Sequence, residues 1–268
     1  MELIDIGVNL AHRRFAADRD AVIERASRAG VREMIVTGTS VRASRDARAL
    51  AAARPGVLWS TAGIHPHEAH DATPAALAEL RALAGDPVVR AIGECGLDFD
   101  RMFSSREDQE RGFAAQLALA AELGLPVFLH ERAAHDRFTA ILREHRPRLR
   151  AAVVHCFTGS TAELDAYLAL DLHIGITGWV CDERRGTGLR ALIRRIPHDR
   201  LMIETDAPFL MPRDLVPRPR DGRNEPAFLP HVLAAVARAS DRPAASVADD
   251  TTRTARAFFG IGEQEPKR

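Results

Sequence analysis

The stretch Leu3-Ile4-Asp5-Ile6-Gly7-Val8-Asn9-Leu10 decides how the rest of the chain is read. Its short apolar run predicts a first strand over residues 3–7. An open, doubly wound sheet that binds a nucleotide follows its first strand with a glycine-rich phosphate loop. Here the strand ends in Gly7-Val8-Asn9 instead. Working outward, further strands are predicted at 33–38, 57–63, 88–94, 126–130, 152–155, 173–178 and 201–206. Amphipathic helical patterns separate them at 19–29, 41–54, 74–83, 107–123, 134–146 and 161–170. Pro74 follows Thr73 as a first-turn proline after an N-cap, and Gly30 and Gly124 stand where helices stop. Strand–helix alternation implies parallel pairing. With 268 residues, the economical closure is a single (β/α)8 TIM barrel, which needs ~250 residues. One domain is expected over residues 1–262, with a polar tail at 263–268 and a mobile polar loop at 221–224.

Lys+Arg and Asp+Glu both number 37, so the formal net charge is zero. That excludes a globally basic nucleic-acid binder; any polyanion must meet a local patch or a metal. Lys267 is the only lysine, so arginine carries nearly all the positive charge. No apolar run approaches the ~20 residues of a membrane helix, and the first residues, with Glu2 and Asp5, lack a signal pattern. Three scattered cysteines, Cys95, Cys156 and Cys181, form neither a disulfide framework nor a CxxC zinc site. A cytoplasmic protein without membrane association, and a monomer, is expected.

Polar residues fall at the ends of the strands. Alternation in the first strand puts Leu3, Asp5, Gly7 and Asn9 on the face toward the barrel axis, and Ile4, Ile6, Val8 and Leu10 toward the helices. The third strand leads into Gly63-Ile64-His65-Pro66-His67, and the fourth ends Gly93-Glu94-Cys95-Gly96-Leu97-Asp98. The fifth ends at His130, the sixth at His155, and the eighth in Glu204-Thr205-Asp206. In a parallel barrel, strand C-termini converge on one face, where catalysis is located. Any one of these residues alone reads as a hydrogen-bonded histidine or a helix N-cap carboxylate. Together they would be costly to desolvate without a counter-charge. A divalent cation provides it, since imidazoles and carboxylates are ligands for zinc, manganese or iron, and carboxylate-rich sets suit magnesium. The pattern points to a metal-dependent hydrolase.

The segments that carry this pattern resemble the TatD family of metal-dependent deoxyribonucleases. They are DIGVNL from Asp5, STAGIHPHEA from Ser60, AIGECGLDF from Ala91, PVFLH from Pro126, VVHCFTG from Val153, IGITGWVCDERRG from Ile174 and IETDAPFLMPRDL from Ile203. The resemblance covers nearly the whole chain. It implies a barrel metallohydrolase, cytoplasmic and active with magnesium, that removes nucleotides from the 3′ ends of single-stranded DNA or RNA. Carried over by position, the family's metal ligands match Glu94, His130, His155 and Asp206. Most of that family opens with an HxH pattern, and here those positions are Gly7 and Asn9. Losing two imidazoles weakens zinc affinity at one metal position and favours magnesium, with manganese next. One ion is expected at Glu94, His130 and His155, and a weaker second at Glu94 and Asp206 with Asn9 nearby.

For phosphodiester hydrolysis, Asp206 is expected to take the proton of a metal-activated water, and His65 to hydrogen-bond the scissile phosphate or protonate the leaving group. Glu94 completes the catalytic set. Asn9, Asp5, His67, Arg132 and Glu204 are candidates for a second-metal or substrate role, Glu204 chiefly as support for a ligand. Arg184, Arg185 and Arg213, with Arg223 of similar standing, are candidates for phosphate contacts. Zero net charge suits a grip on two or three nucleotides at an end. Cys95 and Cys156 are expected to face away from the site. Trp59, Trp179 and Phe99 are candidates for stacking a base at the mouth. Two other classes compete: an amide or ester hydrolase, such as a D-aminoacyl-tRNA deacylase using the same chemistry, and a non-enzymatic binding module.

Overall fold

Apolar runs too short for helices pair here as strands, each hydrogen-bonded in parallel to its neighbours in chain order. They are β1 (Leu3–Val8), β2 (Val31–Val36), β3 (Leu58–Ala62), β4 (Val89–Asp98), β5 (Val127–Arg132), β6 (Ala152–Val154), β7 (His173–Ile176) and β8 (Leu201–Ile203). The computed structural model describes residues 1–184 and 186–262, so Arg185 and the expected tail lie outside the described residues. Helices α1 (Arg19–Arg28), α2 (Val41–Ala52), α3 (Pro74–Ala84), α4 (Arg106–Leu123), α5 (His135–His145), α6 (Thr161–Ala169) and α7 (Gly186–Ile193) connect the strands. Two more, α8 (Leu229–Ser240) and α9 (Ala244–Phe259), follow β8. The start and stop signals act as expected. Thr73 Oγ1 accepts from the Ala76 N–H, and Gly124 ends α4 in the left-handed region at φ 65°. None of the described helices is long and apolar enough to cross a membrane.

The sheet closes into a TIM barrel where the chain beyond β8 meets β1. The Asp206 N–H donates to Gly7 O at 2.8 Å, and the Asn9 N–H donates to Ala207 O at 2.7 Å. Ile4, Ile6, Ile35, Phe128, Val153 and Met202 form an interior apolar cluster with Phe258 and Phe259 of α9. α9 packs against β1 and β8, so its aromatic pair seals the N-terminal end of the barrel.

β1 alternates over Leu3–Ile6, but in the opposite sense to that expected: Ile4 and Ile6 point into the interior cluster and Leu3 into the outer one, while Asp5 turns out toward the chain beyond β8. The β1–β2 register shifts between Asp5 and Val8, and past that shift Gly7, beside Phe128 and Glu204, faces the interior as expected. Asp5 Oδ1 accepts from the Thr205 N–H at 2.9 Å and the Gly7 N–H at 3.3 Å, and Oδ2 pairs with Thr205 Oγ1. Asp5 is thus a closure latch, not a cleft residue, and burial raises its carboxyl to about 7.

Two further expectations are corrected. Trp59 packs against the interior cluster, with the Arg90 guanidinium 4.4 Å from its ring, far from the mouth. The segment 221–224 is anchored: Asn224 is buried and donates to Thr205 O and Phe209 O. Arg223 pairs with Asp18 and Glu225 inside a network that includes Arg25, so its charge is already matched.

Replacing Asp5 by Ala leaves several buried donors without an acceptor. It should cost roughly 2–3 kcal/mol in urea unfolding. Asp5→Asn retains a carbonyl acceptor and should recover most of that stability, with cation affinity at the cleft unchanged in a calorimetric titration.

Candidate metal centre and catalytic cleft

The C-terminal ends of the strands open into a cleft of about 800 Å³ lined by Asn9, His65, His67, Glu94, Asp98, His130, His155 and Asp206. Local backbone irregularities aim these side chains. Along β4, Gly93 pairs with Phe128 and Cys95 with Leu129, so Glu94 is skipped by the ladder. A bulge of this kind re-aims a side chain. Two glycines make it feasible. A Cβ at Gly93 (φ 134°) would lie 2.2 Å from Phe128 O, and one at Gly96 (φ 148°) 1.8 Å from His130 O. Only glycine lets β4 lie so close to β5 on both sides of Glu94.

Three imidazoles converge on one oxygen of Glu94. His155 Nε2 lies 2.8 Å from Oε1, His130 Nδ1 3.0 Å and His65 Nε2 3.3 Å. Two of the rings, those of His155 and His65, are positioned from behind. Glu204, fully buried, accepts the Cys156 N–H at 2.6 Å and holds its other oxygen 3.4 Å from His155 Nδ1. Phe128 stacks on the His155 ring at 4.8 Å. The His67 N–H donates to His65 Nδ1, which leaves the proton on the Nε2 that faces Glu94. His67 Nε2 is 2.7 Å from Asp98 Oδ2. On the opposite wall Asp206, at φ 54°, accepts from Asn9 Nδ2 at 3.0 Å. The barrel-closing bonds of Asp206 to Gly7 and of Asn9 to Ala207 fix that contact.

The donor set fits a divalent metal ion. Ligand atoms of His65, Glu94 and His130 lie within 4.8 Å of one another, and His155 reaches the same Glu94 oxygen. His130 Nε2 is buried without a hydrogen-bond partner, 3.6 Å from Asp98 Oδ2. A cation held among these groups would satisfy that orphaned nitrogen.

Of the expected site residues, the fold gathers Glu94, His130, His155, Asp206, His65, His67 and Asn9, with Glu204 beneath them. Arg132 reaches the lip, 2.8 Å from Asp100. Arg184 is exposed outside the cleft wall, and its N–H donates to Asp182. Arg213 and Trp179 line a second cavity beside the first. Phe99 sits under Arg106. Cys156 corrects its expectation: at φ 49° it lines the cleft and lies 3.5 Å from Thr177 Oγ1. Asp98 and the rim aromatics Phe103 and Phe209 went unmarked in the sequence. Asp98 was legible in principle, four residues beyond Glu94 on the same face of the strand.

Electrostatics follow from crowding. Burial works against Glu94, yet His155 and His65 hold its carboxyl well below the usual range. Burial likewise works against charge on His155, but Glu94 and Glu204 raise it well above an ordinary imidazole. Burial lowers His65 to about 4, so it is a neutral donor. Asp206 is pushed up to about 8 by burial, with Glu94 and Glu204 adding to the effect.

Residues 4–260 match the profile of a family described as TatD related DNase. A protein of Musicola paradisiaca named 3′-5′ ssDNA/RNA exonuclease TatD is 56% identical over 98% of this chain and 99% of its own. One of the same name from Erwinia amylovora is 55% identical over 97% of this chain and 100% of its own. Among solved structures, a TatD homolog from Escherichia coli superposes with a TM-score of 0.87 at 29% identity, covering 97% of this chain and 98% of that one.

The folded chain keeps a proton on Asp206 that the unfolded chain releases near pH 4, so from pH 4 to about 8 stability falls as pH rises. His130 and His155, both raised, act in the same direction above pH 6.5, whereas His65 opposes it only between about pH 4 and 6.5. A cation displaces these protons. The rise in Tm produced by a fixed magnesium concentration should therefore be larger at pH 8 than at pH 6.5, and Asp206→Asn should shrink the difference. Scanning calorimetry checks this; a pH-independent rise would contradict it.

Proposed function

The chain belongs to the TatD-related DNase family, and from that membership and the cleft we propose that it is a magnesium-dependent 3′-5′ exonuclease acting on single-stranded DNA and RNA. The observation that carries the reading is the convergence of three imidazoles on Glu94 Oε1, with Asp206 opposite. Glu94, His130 and His155 would hold the ion, and Glu94 and Asp206 a weaker second one. The chemistry supplied by such an ion is that of a Lewis acid, which lowers the pKa of water and neutralises charge on a phosphoryl oxygen. Two imidazoles are missing at Gly7 and Asn9, and that favours a hard, oxygen-coordinated ion over zinc.

The chain's own residues supply the rest. Asn9 occupies Oδ1 of Asp206, which leaves Oδ2 to take the proton of the attacking water. His65, neutral and oriented by the His67 N–H, donates Nε2–H to the scissile phosphate. Its low basicity suits a hydrogen-bond donor better than an acid for the leaving group. Glu204 acts by orienting His155 rather than by touching substrate. Exposed Phe103 and Phe209 stand at the cleft rim, edge-on to His67 and His12, and offer faces to an unstacked terminal base. A base in a duplex stays stacked and cannot use them, which supports a single-stranded substrate.

Chelator-stripped protein given end-labelled single-stranded oligonucleotides should shorten them from the 3′ end once magnesium is restored. Glu94→Ala should abolish cleavage, and Asp206→Asn should lower kcat by about 10²–10⁴-fold. Release of the amino acid from acylated tRNA, with oligonucleotides left intact, would overturn the reading in favour of an ester hydrolase.

A further inference from the structure

We infer that the strand behind the 3′-terminal nucleotide leaves the cleft across Trp179 and is held in a second, arginine-lined cavity built by the segment after β8. The inference rests on the nuclease reading and extends it to the rest of the substrate. A cavity of about 580 Å³ adjoins the cleft, and the two share Trp179 and Leu210 in their walls. The second cavity carries Arg213, Arg218 and Arg220.

About half of the arginines elsewhere are matched to carboxylates, as in Arg45–Glu79, Arg81–Glu122, Arg195–Asp165 and Arg200–Asp171; what sets Arg213, Arg218 and Arg220 apart is that they line one cavity next to the cleft. Among the described residues, Arg218 and Arg220 have no carboxylate within 4.0 Å. Arg213 is tethered through Nε to Asp182 at 3.1 Å, which leaves its two terminal nitrogens for a ligand. Three guanidinium groups within eight residues repel one another, and an anion relieves that repulsion.

The wall that carries them is built rather than loose. Asp214 Oδ1 lies 2.7 Å from His231 Nε2 on α8. Gly178 fits closely beneath the segment, where a Cβ would come 2.5 Å from Leu210 O. Half-buried Trp179 stands in the wall shared by the two cavities, where a base passing from one to the other would meet it. Alternating contacts of this kind, base on aromatic and phosphate on arginine, track a single strand without reading its sequence. They also suit a polyanionic substrate on a chain of zero net charge, because three guanidinium groups line one wall of this cavity.

The test compares dT10 with dT2 on the parent protein and on an Arg218→Ala/Arg220→Ala double variant. In magnesium, the ratio of kcat/KM on dT10 to that on dT2 should fall about tenfold in the variant. In EDTA, where turnover stops, the Kd for fluorescein-labelled dT10 by anisotropy should rise about tenfold, and its salt slope should become shallower by roughly 1.4 for two lost phosphate contacts. Trp179→Leu should weaken dT10 binding without altering the salt slope. A double variant whose ratio and Kd both stay within twofold of the parent overturns the inference, as does a parent that fails to bind dT10. If the parent cleaves neither oligonucleotide yet binds dT10 through these arginines, the nuclease reading falls and the strand site stands.

Discussion

One carboxylate oxygen, Glu94 Oε1, holds the cleft together. Three imidazoles from the ends of β3, β5 and β6 lie within 3.3 Å of it, and all four side chains are largely buried. A buried carboxylate is costly alone, and a buried imidazolium equally so. Each is tolerable here because the other is present, and Glu204 and Asp98 share the positive charge from behind. The same crowding keeps a proton on Asp206, since another negative charge cannot be held beside Glu94 and Glu204. The site is thus balanced for two occupancies, protons or a cation, and its chemistry follows from exchanging one for the other.

That balance requires the backbone to depart from regular geometry at several points. Glu94 is bulged out of β4 between two glycines that let β5 approach. Cys156 and Asp206 take left-handed conformations just beyond β6 and β8. The barrel closes through main-chain bonds at Gly7, Asn9, Asp206 and Ala207, and these bonds bring the Asn9 amide against the Asp206 carboxylate. Closing the fold and assembling the site are therefore largely one event. The other end is sealed by the aromatic pair of α9, so the interior opens only where the ligands are.

Electrical neutrality over the whole chain conceals an uneven distribution. Several arginines outside the cleft tie helices to neighbouring segments, and Arg223, expected at a phosphate, belongs to one such internal network. Three arginines of the segment after β8, Arg213, Arg218 and Arg220, gather instead around the cavity that Trp179 helps to line. A sequence count of charges cannot see this, because pairing depends on which carboxylate the fold brings alongside.

The sequence alone determined the eight strand–helix repeats, the absence of a glycine-rich loop after the first strand, and the clustering of Glu94, His130, His155 and Asp206 at strand ends. Those features are local: periodicity, capping residues and polar residues that end apolar runs. Where readings went astray, the cause was a long-range register. A register shift between Asp5 and Val8 turned Asp5 out of the cleft and Ile4 and Ile6 into the interior. Left-handed backbone swung Cys156 into view, and docking against Thr205 and Phe209 fixed the segment around Asn224. Which arginines are paired, which nitrogen of His130 is left without a partner, and that three imidazoles share one oxygen depend on distances between residues far apart in the chain. Only the closed barrel sets those distances.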